Sequence, residues 1–176
     1  EQVGTEGPYL QAGLDVARFG RDKSIYTLRL GGKVLKMQEF EQLDTMALVG
    51  WLRQELDVDK PEVTNVDVIG IGAGVYDRLD ELGYSVHPVN VGGSPKSDEH
   101  KEKFYNVRAE VFWNLRELFK PDKGGRSAIS IPNDPGLIKE LREIRYKYSS
   151  EKKIKIEDKE EMKKRIGKSP DKADAL

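Results

Sequence analysis

Asp15, Asp67, Asp171 and Asp174 are the residues whose type and setting point to chemistry. Asp15 lies in the run LQAGLDVA, where Leu10, Ala12, Leu14 and Val16 alternate with Gln11, Gly13, Asp15 and Ala17. That is the period-2 pattern of a strand with one apolar face. Asp is depleted in strands, so its presence needs a reason. Either Asp15 sits on an edge strand and faces solvent, or a rigid sheet holds it against a cation. Asp67 interrupts the β-branched run VTNVDVIGI (63–71), which reads as a buried parallel strand. Asp171 and Asp174 are three residues apart, so on a helix they share a face. Ser169 and Pro170 stand before them as N-cap and first position of that helix.

Gathered in space, these acids would not tolerate one another alone. Two unit charges about 4 Å apart interact by roughly 4 kcal/mol at an effective dielectric of ~20. Three or four converging carboxylates would then cost an amount comparable with the ~5–15 kcal/mol that stabilises a whole domain. Protons or cations must neutralise such a cluster. Hard divalent ions prefer oxygen ligands, and magnesium is commonly held by one or two carboxylates with water and phosphate. Metal pairs about 3.5–4 Å apart activate a water and stabilise a leaving oxygen in phosphodiester cleavage. The constellation therefore points to metal-dependent phosphoryl chemistry, provided that the fold assembles it.

The elements needed for assembly can be read along the chain. After the first strand, residues 24–30 and 34–40 alternate as two more strands joined by Gly31-Gly32, a hairpin signal. Asp44 caps a helix to about Leu56, with Met46, Leu48, Val49, Leu52 and Leu56 at helical spacing and Trp51 as packing. The run 63–71, a helix over about 75–82 and a strand over 85–89 form a right-handed crossover with a parallel pair. A meander followed by this crossover can set the first and fourth strands side by side, which brings Asp15 next to Asp67. Residues 90–103 are polar and lysine-rich and read as a loop. A helix over 107–119 turns Val111, Phe112, Leu115, Leu118 and Phe119 to one side. Residues 129–131 read as a short strand, Asp134 opens a helix, and 145–149 with 153–156 form a hairpin. A highly charged segment, 157–168, leads to the last helix.

Composition narrows the class. The 176 residues are 37% hydrophobic and 35% charged, with a net charge of −1, so no global field declares a nucleic-acid partner. Cysteine is absent, which excludes disulfides, zinc-thiolate sites and cysteine nucleophiles. No apolar run is long enough to span a bilayer, and no signal-peptide pattern opens the chain. Residues 1–8 read as a linker and 9–176 as one domain, a piece of a longer protein.

The strings LDVARFGRDKS, VDVIGIGAGVYDRL, NVRAEVFWNL and GKSPDKADAL, in this order, resemble the nuclease domain of the large terminase subunit of tailed bacteriophages. The likeness spans nearly the whole chain, and SPDKADAL is its most specific part. It implies an α/β ribonuclease-H-like fold: a mixed central sheet, built of a three-stranded antiparallel meander plus parallel strands, with helices on both faces and an added β-hairpin. It implies an endonuclease that cuts double-stranded viral DNA concatemers during genome packaging, with two Mg²⁺ or Mn²⁺ ions and little base specificity. By motif, the metal-binding catalytic acids are Asp15, Asp67, Asp171 and Asp174, the last two open as to which is the principal ligand. The implied partners are double-stranded DNA, an N-terminal packaging ATPase domain, the portal and the small terminase subunit, in the host cytoplasm and with no membrane. No GxxxxGK[ST] string occurs here, so ATP hydrolysis is not assigned to this stretch. Two rival readings are a non-catalytic DNA-gripping module of the packaging motor and an actin-like kinase or ATPase lobe. The latter needs a second lobe that this length does not hold.

Other residues carry weaker signals. Gly70, Gly72 and Gly74 lack the dinucleotide spacing and suit a close backbone approach better than a phosphate cradle. Asp77 reads as a surface residue, His87 as a core or rim residue, and His100 as solvated. Arg108 and Glu110 suit either a role beside the acids or an internal salt bridge. Contact with a phosphate backbone needs positive charge. The candidates for it are Arg18, close after Asp15, Lys96, Lys101 and Lys103 on the 96–103 loop, and Arg145, Lys147, Lys152 and Lys153 on the 145–155 hairpin, where Tyr146 and Tyr148 could stack or pack.

Overall fold

A computed structural model of the chain describes residues 8–17, 23–41 and 43–176. The chain divides into two compact units. The first comprises residues up to 89 with 129–132 and 175–176; the second comprises 90–128 and 133–174.

The first unit is a five-stranded mixed sheet with two helices. Strands β1 (Leu10–Asp15), β2 (Ser24–Leu30) and β3 (Lys33–Phe40) form the expected antiparallel meander, with Gly31 at φ +53° in the β2–β3 turn. Helix α1 (Thr45–Asp59) starts where Asp44 Oδ1 accepts the Ala47 amide at 2.7 Å. It ends at Lys60, which is left-handed and returns its amide to the Leu56 carbonyl. Strand β4 (Val63–Asp67), helix α2 (Gly72–Glu81) and strand β5 (Val86–Val89) follow. The strand order is β3-β2-β1-β4-β5, with β4 parallel to both β1 and β5. Ala12, Leu14, Tyr26, Leu28 and Val66 from the sheet bury against Leu48, Val49, Leu52, Leu56, Val75 and Leu79 from the two helices. Trp51 packs on Phe40 at 3.7 Å between ring centroids, as expected of a packing residue. At the rim of this core Lys36 pairs with Glu55 and with Asp59, and Asp59 also accepts the Tyr26 hydroxyl at 3.0 Å. Burial, with the Asp59 charge added, pushes the Tyr26 phenol far above its ordinary value.

Two expectations change here. The run 63–71 is a strand only to Asp67, and the helix begins at Gly72 rather than near 75. The chain folds straight back after Asp67: a Cβ on residue 72 would lie 1.8 Å from the Asp67 carbonyl oxygen, so only glycine fits. Gly70, at φ +70°, makes the turn, and Ile69 is left half exposed. Residues 129–131 form no strand of their own; Ser130 makes a single bridge to Lys33.

The second unit is helical with a small hairpin. Helix α3 (Asp98–Lys103) replaces the loop expected over 90–103. Ser97 accepts the His100 amide at 3.2 Å, with Asp98 and Glu99 in the first turn and Lys101 and Lys103 in the last, a charge order that suits the helix dipole. Helix α4 (Val107–Phe119) is capped by Asn106, and helix α5 (Pro135–Glu143) by Asp134. Strands β6 (Tyr146–Tyr148) and β7 (Ile154–Ile156) form the expected hairpin. Helix α6 (Lys159–Ile166) and the single turn α7 (Asp171–Asp174) complete the unit. Phe104, Ala109, Phe112, Ile154, Ile156 and Ala173 make its core. Val111, expected on the inner face of α4, is instead 43% exposed, because Ala109 and Phe112 hold that face.

Candidate active site

The sheet explains how two of the predicted acids meet. The parallel register of β1 and β4 runs to Leu14↔Val66, and Asp15 and Asp67 are the next residue on each strand. Adjacent strands lie about 4.8 Å apart and register partners point to the same face. Asp15 and Asp67 therefore stand side by side at the carboxyl ends of two central strands, on the face opposite Ala12, Leu14 and Val66. Asp15 is 5% exposed. The Asp67 carboxylate also accepts the Ile69 amide at 3.1 Å, which fixes it to the turn. Gly13 is on the same face as Asp15. A Cβ there would meet the Ala175 carbonyl at 2.5 Å, so the last two residues of the chain cross this face of the first unit. Asp174 is the residue before Ala175.

The other two acids lie in the second unit, on α7. Asp174 is buried, its side chain 6% exposed. Arg108 Nη1 donates to its Oδ1 at 2.6 Å and Lys159 Nζ stands 2.9 Å from Oδ2. That second contact is an ion pair without hydrogen-bond geometry, so Oδ2 remains a buried acceptor lacking a hydrogen bond, as do the donors Nε and Nη2 of Arg108. Arg108 also stacks over Phe112 at 4.8 Å. Arg108 thus makes an internal salt bridge, and makes it to one of the predicted acids, so its geometry fits both readings. Glu110, its neighbour on α4, pairs with His100 Nδ1 at 2.6 Å, so His100 is not simply solvated.

The approach to α7 is itself clamped. Glu140 of α5 is 2% exposed and accepts from Lys168 Nζ at 2.5 Å and from the amides of Lys172 and Ala173 at 3.0 and 3.1 Å. Lys172 Nζ reaches back to Asp134 at 2.6 Å. That ammonium, with the Leu137 amide, holds the Asp134 carboxyl below the usual carboxylate range. Sequence reasoning singled out none of Asp134, Glu140, Lys159, Lys168 and Lys172 as shaping the site. Asp134 was legible only as a cap. Glu140 carried a signal: it sits four residues after Gly136 on the apolar side of α5, three after Leu137, where an acid has no business unless paired.

Among the described residues no group of three or more His, Asp or Glu side chains forms a ready-made ion cage. The donor chemistry nonetheless suits a hard divalent cation: the predicted ligands are all carboxylates, no thiolate exists, and a buried Asp174 oxygen lacks a hydrogen bond.

The basic candidates sit as follows. Lys96 is exposed before α3, Lys101 pairs with Asp98 at 2.8 Å, and Lys103 lies over the Phe104 and Trp113 rings. Arg145 is exposed at the root of the hairpin, Lys147 pairs with Glu161 at 3.3 Å and Lys153 with Glu151 at 3.0 Å. Lys152 occupies the hairpin turn at φ +60°. Tyr146 and Tyr148, 49% and 64% exposed, continue an edge-to-face ladder from Trp113. Arg18 lies outside the described residues, as does all of the 1–8 linker except Pro8. His87 is exposed on β5, at the rim of the sheet.

No protein-family profile matches the chain, and no curated protein sequence matches it. Solved structures do match. The nuclease domain of the large terminase subunit of bacterial virus Sf6 aligns with a TM-score of 0.81 at 23% identity, covering 99% of this chain and 89% of that one. A lysine-to-alanine variant of the same domain with manganese gives 0.79 at 22% identity, covering 98% and 88%. The large terminase nuclease of thermophilic phage G20c with bound magnesium gives 0.62 at 20% identity, covering 86% and 72%. The expected mixed sheet with helices and an added hairpin is the fold that this chain shares with these terminase nuclease domains.

Proposed function

We propose that this chain is a divalent-metal-dependent endonuclease domain that cuts double-stranded DNA during viral genome packaging. The observation that carries the reading is the placement of Asp15 and Asp67 at adjoining ends of two hydrogen-bonded central strands, in a fold shared with terminase nucleases. Asp171 and Asp174 complete the proposed ligand set. Two Mg²⁺ or Mn²⁺ ions bound by these acids would supply an activated water and charge stabilisation for the departing oxygen. The sheet holds Asp15 and Asp67 with little freedom, which is what a preorganised site requires. Arg108 and Lys159 balance the Asp174 charge and hold that carboxylate in place. Lys96, Lys101, Lys103, Arg145, Lys147, Lys152 and Lys153 would meet the phosphate backbone, a contact that reads charge and not sequence. In this reading the chain works beside a packaging ATPase domain, the portal and the small terminase subunit in the host cytoplasm. None of its described helices is long and apolar enough to cross a membrane.

The test is cleavage of supercoiled plasmid by the purified chain with Mn²⁺, with Mn²⁺ plus chelator, and by Asp15→Asn. Cutting that needs the metal and disappears in Asp15→Asn supports the reading. Metal-independent cutting, or full activity in Asp15→Asn, overturns it. DNA retention without cutting, with Mn²⁺ bound, would instead make the chain a gripping module.

A further inference from the structure

We propose that Glu140 is a positioning residue: its buried carboxylate sets where α7 presents Asp171 and Asp174. Helix α7 is a single turn of four residues. A helix so short has no stability of its own, so its direction must come from outside. Glu140 supplies it. One oxygen receives two consecutive amides, those of Lys172 and Ala173, and the other receives Lys168 from the segment leading into the turn. A carboxylate that is 2% exposed persists as a charge only when it is fully paired. Here three donors pair it. A second tether, Lys172 to Asp134, leaves from the same α7 residue and reaches the cap of α5, the helix that carries Glu140. Asp174 follows Ala173 directly, so any loosening of these amides moves the carboxylate that Arg108 and Lys159 hold. Glu140 touches neither metal nor DNA in this account. It acts through α7, as groups behind metal ligands do, and losing such a group costs about 10–100-fold in metal affinity.

The role rests on the nuclease reading only for its consequence, so the test separates the two. The Lys172 and Ala173 amides are followed by NMR hydrogen exchange in the wild-type chain and in Glu140→Gln. The Mn²⁺ concentration for half-maximal DNA cleavage is measured alongside the saturated rate. The expected result is faster exchange at both amides and a rise of about tenfold in half-saturating Mn²⁺, with the rate at saturating metal changed far less. Unchanged exchange overturns the proposal. So does a lower melting temperature with unchanged half-saturation, which marks a merely structural residue. Faster exchange in a chain that neither binds Mn²⁺ nor cuts would sustain Glu140's hold on α7 and sink the nuclease reading alone. Should Glu140→Gln fail to fold, Lys168→Met removes one of the three donors and must move both readouts the same way by less; no movement overturns the proposal.

Discussion

Asp15 and Asp67 end two hydrogen-bonded strands above an apolar core, whereas Asp171 and Asp174 ride on one helical turn tied down by charged side chains. The first arrangement draws on backbone pairing and burial, and eleven buried residues from three strands and two helices stand behind it. The second draws on Glu140, Lys168, Lys172, Asp134 and Arg108, with Ala173 as the one α7 residue in the apolar cluster. The difference teaches that acids can be fixed by topology in one unit and held adjustably by electrostatics in the other. Acid, salt and charge-neutral substitutions should therefore act mainly on α7, and steric changes mainly on the sheet.

The largest expected effect is steric. Gly72→Ala puts a Cβ 1.8 Å from a backbone oxygen, so the turn after Asp67 cannot close as it does now. A loss of about 4 kcal/mol or more is expected, the range reserved for such backbone conflicts, read from urea unfolding. A normal midpoint would show that the sheet side yields more than its packing implies. Next is Leu52→Ala, which empties a fully buried position of the first core and should cost about 2–5 kcal/mol. Gly13→Ala is gentler. The Ala175 carbonyl lies in a turn after α7 and can move away, so the melting temperature should fall by less than about 4 °C. Cleavage should drop by about tenfold if the residues next to Asp174 must lie on this face.

Acid comes next and acts on the other side. The Asp134 carboxyl is held below its ordinary value by Lys172, so its contribution is complete above the unfolded value near 4 and is lost as pH falls through the folded one. Asp134→Asn should thus lower the urea midpoint at pH 7 and show a shallower further decline toward pH 3 than wild type. Equal declines would remove the clamp from the account. The smallest effect is that of salt. Raising NaCl from 0.15 to 1 M should speed amide exchange in the hairpin and α6, whose exposed pairs are worth about 0–1 kcal/mol each, and leave β1 and β4 unmoved.

The sheet was legible because its causes are local. Alternation gave β1 to β3, Gly31-Gly32 gave the hairpin, the crossover rule gave the parallel pair β4 and β5, and a meander followed by that crossover allowed β4 beside β1, and with it Asp67 beside Asp15. The end of β4 was not legible, because the apolar residues 68–71 look like strand while a backbone collision at residue 72 decides the turn. Helix α3 was hidden by its lysines, although Ser97 and the order of charges foretold it. The clamp on α7 was illegible for a different reason. Its parts, Asp134, Glu140 and Lys168 to Lys172, are brought together by a return of the chain over about thirty residues, and no periodicity records which charged residues will pair across such a gap. That residues 129–132 and 175–176 group with the first unit was not legible, because they return to it from far along the sequence.

The central proposal is that Asp15 and Asp174 are both ligands for divalent metal. Calorimetric titration of Mn²⁺ into wild type, Asp15→Asn and Asp174→Asn, each checked for an intact fold, tests it most directly. The account predicts that both substitutions weaken Mn²⁺ binding by at least about tenfold. Wild-type Mn²⁺ affinity retained in both variants would contradict it.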